Sequence, residues 1–453
     1  MKIPAYLALI LTLCASCSDS ESSKSLNAGD ALGDTLSEAD IVSDDIISDE
    51  GAPSTDLEPE SDATAPEAMA LPSLQSPLVF EPGEGDPAPR IQTVVALGAN
   101  DTLAVAWSGV DQDNVLGIRF ALYGLDGSKT TETYTLSSAT TGVQNEPSIC
   151  ALKEGGYVVA WSRDTQSTGP EGENLEIRFR LIDEEGKPLG ELDSRVLSTV
   201  PGNHWLAEVA CAPDGGFVIA GVRPDTDDIT FGAFVWRHDK DGAPQGDAIA
   251  LNIAPEGTQS YPDLAVNAEG SIIALWKDDA LVEEGQDIER VMSRWILPSP
   301  AEPGAIIPIA GSAETAASYG QVAANSYDNT ARAAATFADG TLGLWIVDES
   351  GPIGTIKLPE GGGAMNNPAL SSLQTETYAV AFQHGAGDNA RLKIALIDKT
   401  EVIKGPTIVE NGPQLPYPLS VDGRDGALAL GWTVRNSEDA YVPRVAIFLS
   451  PDK

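Results

Sequence analysis

Basic residues are scarce in this chain. Its 27 Lys and Arg stand against 68 Asp and Glu, leaving a net charge of −41 over 453 residues. Such a surface repels phosphate backbones and anionic lipid headgroups, so nucleic acid and the bare membrane surface are excluded as partners by charge. Histidine, at 3 residues, is nearly absent. A zinc site needs several ligands at recognisable spacing, whereas His204, His238 and His384 share no motif and read as scattered surface side chains. No G-x-S-x-G elbow occurs, and no Gly-rich phosphate loop leads into a helix. The sequence therefore displays no catalytic constellation. Long apolar runs are also lacking: the N-terminal one, from Ile3 to about Leu13, falls short of the ~20 residues that a membrane-spanning helix requires.

Turn formers are abundant, with 44 Gly and 31 Pro in a chain that is 42% hydrophobic. That usage favours many short strands over long helices. Length alone suggests about three domains of ~150 residues, but internal repetition overrides this prior. From about Ser76 the chain repeats roughly every 50 to 60 residues. One strand, apolar throughout and often ending in an aromatic, recurs as LAVAWS at Leu103, YVVAWS at Tyr157, FVIAG at Phe217 and IIALW at Ile272. It returns as ARAAATF at Ala331, YAVAF at Tyr378 and LALGW at Leu428, and Pro147, Pro262, Pro368 and Pro418 precede it at one spacing. A third strand follows each copy, as IRFAL, IRFRL, FGAFVW, VMSRWIL, LGLWIV, LKIALI and RVAIFL.

Four short antiparallel strands repeated seven times predict an all-β, seven-bladed β-propeller. The second strand is apolar on both faces, as burial between neighbouring blades demands, where a sheet with one wet face would alternate. The last copy stops after its third strand, and SPLVFEPGEG at Ser76 resembles the missing fourth. An N-terminal strand completing the seventh blade would close the ring and remove the exposed edges of an open stack.

Ahead of the repeats, MKIPAYLALILTLCASC combines an early Lys2, a short apolar run and small residues before Cys17. Its end, Cys14-Ala15-Ser16-Cys17, resembles the lipobox of bacterial lipoproteins. The resemblance implies a signal peptide over 1–16, lipid on Cys17 and, with Ser18 following, an outer-membrane location. Residues 18–75 hold fifteen acids, one base (Lys24) and no aromatic. Such a segment cannot bury enough surface to offset chain entropy. The expected organisation is therefore a signal peptide (1–16), an acidic disordered tether (17–75) and a propeller (76–453).

Cys150 and Cys211 lie in the first strands of copies two and three, offset by one position. Alternate strand residues point to opposite faces, so this offset suits an inter-blade disulfide, which persists outside the cytoplasm. Loops between second and third strands carry carboxylates, most tightly at Asp111 and Asp113 and at Asp225 and Asp227. Such loops read first as solvated turns of an acidic protein with no cofactor; the functional alternatives are calcium, which takes six to eight oxygens, and capture of a basic partner, and neither loop completes an EF-hand pattern. Arg119, Arg178, Arg180, Arg294, Arg391 and Arg444 recur at the third strand. Converging arginines grip a carboxylate in sialidase propellers, but repetition at equivalent positions here reads as one structural role per blade.

The repeats resemble those of bacterial cell-surface proteins with units of the form P-x-x-A…G-G-[YF]-x-V-x-W…I-x-x-R-x-x-D-x-x-G. The resemblance implies a propeller in the cell envelope and no particular activity. The expected role is a non-catalytic, lipid-anchored binding propeller that presents an acidic loop face to a protein or glycan. The alternatives are an envelope assembly scaffold and a polysaccharide hydrolase or lyase.

Overall fold

The computed structural model describes residues 70–453 except 87–89, 111–114, 139–141, 166–174, 197–202, 225–229, 253–256, 280–288, 299–301, 313–314, 325–328, 359–364, 375, 387–388, 413–414, 416, 425 and 436–439. Among the described residues every regular element of length is a strand, and no helix is long and apolar enough to cross a membrane.

Strand β1 (Leu78–Phe80) comes first and belongs to the last blade. Blade one is β2 (Arg90–Leu97), β3 (Thr102–Val110), β4 (Leu116–Gly124) and β5 (Tyr134–Thr135). Blade two is β6 (Val143–Ala151), β7 (Tyr157–Asp164), β8 (Leu175–Ile182) and β9 (Ser194–Arg195). Blade three is β10 (Trp205–Cys211), β11 (Phe217–Pro224), β12 (Phe231–His238) and β13 (Ile249–Ala250). Blade four is β14 (Gln259–Val266), β15 (Ile272–Asp278), β16 (Arg290–Ile296) and β17 (Pro303–Ala310). Blade five is β18 (Ala317–Ala324), β19 (Ala331–Phe337), β20 (Leu342–Asp348) and β21 (Gly351–Thr355). Blade six is β22 (Met365–Gln374), β23 (Thr377–His384), β24 (Arg391–Ile397) and β25 (Val402–Asn411). Blade seven takes β26 (Ser420–Arg424), β27 (Ala427–Arg435) and β28 (Tyr441–Leu449) from the C-terminus and β1 from the N-terminus. The innermost strands touch in sequence from β2 to β26, and β26 touches β2, so the seven sheets form a closed propeller.

The second strand of each blade explains why the sheets stack in this way. In β3 every residue from Leu103 to Trp107 is fully buried. Leu103, Val105 and Trp107 face blade seven, while Ala104 and Ala106 face blade two. Each of the seven blade–blade interfaces carries its own apolar cluster built on this alternation. The recurring aromatics Trp107, Trp161, Trp276, Phe382 and Trp432 are all buried there, and truncating one to Ala typically costs about 3–5 kcal/mol. Blade three has Gly221 in that place. Ile177 of blade two fills the gap, its Cδ1 lying 2.3 Å from where a Cβ on Gly221 would stand.

Closure rests on β1, whose Leu78, Val79 and Phe80 pair with Ile447, Ala446 and Val445 of β28. Phe80 packs on Tyr123 of blade one with ring centroids 4.9 Å apart, and the Gly83 N–H donates to Tyr123 Oη at 3.0 Å. Packing begins ahead of this strand. Leu74 is buried between blades six and seven, and the Ser73 N–H donates to the Leu449 carbonyl at 2.9 Å. Deleting residues 77–82 is expected to lower the melting temperature by at least about 5 °C. Parent-like melting, followed by circular dichroism, would show that the ring closes without β1.

Candidate functional site

The innermost strands share an irregularity that the repeat pattern alone does not reveal. In blades one to six, two residues of the inner strand stand opposite a single residue of the second strand. That single residue is Trp107, Trp161, Gly221, Trp276, Ala335 or Phe382, the aromatic position of the unit. In five blades the first residue of the bulge has positive φ: Gln92 (56°), Glu146 (54°), Leu206 (57°), Tyr261 (49°) and Tyr319 (54°). None is Gly, so each stores roughly 1 kcal/mol or more of backbone strain. Bulges of this kind re-aim side chains, and strain repeated at one ring of positions marks the axial mouth as a candidate site.

The repeated prolines now have a physical reason. Pro147, Pro262 and Pro368 are the second residues of their bulges, where interrupted pairing demands no N–H. Pro418 has the same spacing in the sequence but is exposed and lies outside β26, which pairs without a bulge.

An innermost strand is also an edge, and its unpaired N–H groups need acceptors. The neighbouring blade supplies them. The residue paired with the one just before the aromatic position accepts from the next blade: Ser420 Oγ from Val95 N–H (3.1 Å), Ser148 Oγ from Val209 N–H (3.1 Å) and Asp263 Oδ2 from Val322 N–H (2.6 Å). Two residues further on, Asp422 Oδ2 accepts from Leu97 N–H (2.7 Å) and Ser371 Oγ from Gly423 N–H (3.1 Å). In the corresponding positions of blades two and three, Cys150 and Cys211 are joined by a disulfide with Cα atoms 5.6 Å apart. The bridge thus stands where other interfaces place a hydrogen bond. At the bulges, Gln92 Oε1 accepts from Glu146 N–H (2.8 Å), and Ser162 Oγ accepts from Leu206 N–H (3.0 Å) while donating to Glu146 Oε2 (2.9 Å).

This arrangement brings carboxyl groups from successive blades together: Glu146, Glu208 and Asp263. Burial, then repulsion from Asp263 and, more weakly, Glu146, pushes Glu208 up to about 8, against a hydrogen bond from Ser148. Burial pushes Asp263 up to about 7, opposed by the Val322 and Leu264 N–H groups. Burial also raises Glu146, against the Ser162 hydroxyl. Asp422, on the far side of the ring, is pushed up to about 6 by burial, against donors at Leu97, Gly423 and Ser371. Among the described residues neither Glu208 nor Asp263 has an ion pair with Lys or Arg. Beside them Tyr261 and Tyr319 meet with ring centroids 5.3 Å apart, and Tyr319 is 38% exposed.

Several residues singled out from sequence lie elsewhere. Cys17, Asp111, Asp113, Asp225 and Asp227 fall outside the described residues. No group of three or more His, Cys, Asp or Glu among the described residues is arranged to hold a metal ion. The third-strand arginines serve the blades. Arg119 donates to Thr135 and to the Val110 carbonyl, and Arg178 pairs with Glu176 at 2.6 Å. Arg180 donates across the interface to the Leu136 carbonyl (3.0 Å), and Arg294 likewise to the Ala250 carbonyl (2.8 Å). Arg391 donates to the Ala390 carbonyl (2.6 Å), and Arg444 approaches Glu81 and Glu410 at 3.7 and 3.8 Å.

The surface reading of the histidines fails for two of the three. His204 and His238 are buried. The His238 ring stacks on Phe217 with centroids 4.9 Å apart, and burial pulls its pKa down to about 4. A histidine's apolar ring faces suit an aromatic interface when the ring is neutral. His384 is half-buried, with Nδ1 at 3.0 Å from Lys393 Nζ.

The chain matches no family profile and no curated protein. It is similar in fold to a solved protein of unknown function from Dyadobacter fermentans DSM 18053, at 13% identity, covering 70% of this chain and 97% of that one with a TM-score of 0.50. It is similarly related to an ulvan lyase from a new family of polysaccharide lyases, at 9% identity, covering 80% and 91% with a TM-score of 0.53. At these identities the likeness is one of fold.

Two outcomes follow from the axial chemistry. Carboxyls raised above their ordinary values make the folded state hold extra protons, so their contribution declines as pH rises through the folded values. His238, lowered from 6.5, acts oppositely, but only below 6.5. Thermal stability is therefore expected to fall between about pH 6.5 and about pH 8.5, and the slope to flatten in the Glu208→Gln, Asp263→Asn double variant. A rise in melting temperature over that interval would contradict the assignment. Separately, Cys150 and Cys211 are expected to yield no free thiol in denatured, unreduced protein; a thiol titration finding both free would remove the bridge.

Proposed function

We propose that this chain is a non-catalytic binding propeller of a bacterial cell envelope that takes its ligand at the axial mouth on the loop-bearing face. Lipid on Cys17 anchors it, and the acidic segment ahead of the packed residues from Ser73 holds the propeller clear of the membrane. The observation that carries the binding role is the ring of strained inner-strand positions ending in the Tyr261–Tyr319 pair, of which Tyr319 is exposed and Tyr261 half-buried. The third-strand arginines, by contrast, are occupied by carbonyls and carboxylates of their own blades and neighbours. Exposed paired aromatics beside charged groups are a feature of binding surfaces.

A second reading, an enzyme acting on polysaccharide, is favoured by one observation. Glu208 and Asp263 are neighbouring carboxyls whose values lie near neutrality, as a general acid and base require.

The test uses the full chain, extracted in detergent and immobilised, then presented with arrays of neutral and charged glycans and of purified basic and acidic proteins. The binding reading expects saturable retention of one class, with the ligand recovered at unchanged mass and retention reduced at least fivefold by Tyr319→Ala. Shortened polysaccharide products that disappear with Glu208→Gln would replace it with the enzyme reading. The anchor is checked by fractionation: Cys17→Ala is expected to move the protein from the membrane to the soluble fraction.

A further inference from the structure

Tyr261 and Tyr319 hold the same bulge position in adjacent blades, and their rings form a tilted pair at 57°. Asp263 follows Tyr261 by two residues in β14, directly after the bulge. The carboxylate of Asp263 reaches across to the Val322 N–H of β18, three residues beyond Tyr319. That hydrogen bond crosses the same seam between blades four and five that the two rings span. Glu208 of blade three stands close enough to Asp263 for the two to repel.

We propose that this seam receives a lysine side chain from a basic protein partner, with its methylene stem against the Tyr261 and Tyr319 rings and its ammonium at Asp263. This inference rests on the binding-propeller reading and narrows it to one partner chemistry. Three physical features select the occupant. A lysine stem buries its methylenes on ring surfaces while its charged head seeks a polar partner. Ring faces attract ammonium groups, and Tyr261 already has Lys277 Nζ 5.4 Å from its centroid, with that charge met by Glu289 at 2.7 Å. The net charge of −41 draws basic partners toward the protein before any contact is made.

The experiment titrates the detergent-extracted full chain with amidated trilysine and with trilysine acetylated on every side chain, by calorimetry at moderate salt. Trilysine is expected to bind and the acetylated peptide to bind at least tenfold more weakly. Tyr319→Ala is expected to weaken trilysine about three- to fivefold. Asp263→Asn, which keeps the acceptor for Val322 N–H and so preserves the fold contact, is expected to weaken it about tenfold. Trilysine binding that neither variant alters would place the peptide elsewhere on the acidic surface and overturn the proposal. So would equal binding of the acetylated peptide, or no binding at all. A glucosamine oligomer that binds where trilysine does not, and is lost in Tyr319→Ala, would also overturn it while leaving the binding propeller standing. Absence of any ligand in the array experiment is the separate failure that removes the broader reading.

Discussion

The inner edge of every blade presents N–H groups that the blade itself cannot pair, and satisfying them organises this molecule. A β-sheet edge left open is both costly and adhesive. Here the preceding blade reaches over with a short polar side chain, such as Ser148, Asp263, Ser371, Ser420 or Asp422, and accepts from the next strand. Between blades two and three the same pair of positions is joined through Cys150 and Cys211. Apolar clusters between the sheets supply most of the burial, but these polar links set the angular relation of each blade to the next near the axis.

That solution has an electrostatic consequence. An acceptor near the axis works as well when it is a carboxylate as when it is a hydroxyl, and a carboxylate held there loses much of its hydration. Asp263, the acceptor for the Val322 N–H, meets Glu208, which accepts from the Ser148 hydroxyl, with no Lys or Arg ion pair to either among the described residues, and the two form a region of displaced proton affinity. The strained bulge residues just above add Tyr261 and Tyr319. Strain and desolvated charge both lower stability, and they coincide at the mouth of the ring, where a ligand would relieve part of each.

Much of the architecture was legible because repetition amplifies weak signals. One apolar strand is ambiguous; seven in register, with a truncated last copy and a spare strand at Leu78, define both blade number and closure. The parity of Cys150 and Cys211 was readable for the same reason, since position within a repeat reports the facing side. The axial residues were not legible. Glu146, Glu208, Asp263 and Asp422 each look like an ordinary polar residue of a strand, and their places near the axis appear only when the blades stand side by side; for the first three, a bulge opposite Trp161, Gly221 or Trp276 also shifts the register. The prolines at 147 and 262 were the available signal, because a Pro inside a strand marks interrupted pairing. His204 and His238 misled because polarity alone does not report whether a ring is stacked in an aromatic interface.

The sequence by itself determined the number of blades, the identity of the buried second strands, the strand that closes the ring and the acidic charge balance. These are local or periodic properties, written in the spacing of apolar residues and turns. The tertiary structure alone decided which carboxyls meet, which arginines are already occupied and that Tyr261 and Tyr319 lie together. Those are contacts between residues some sixty positions apart. They depend on the bulge that re-aims each inner strand and on the rotation between blades, which no single repeat encodes.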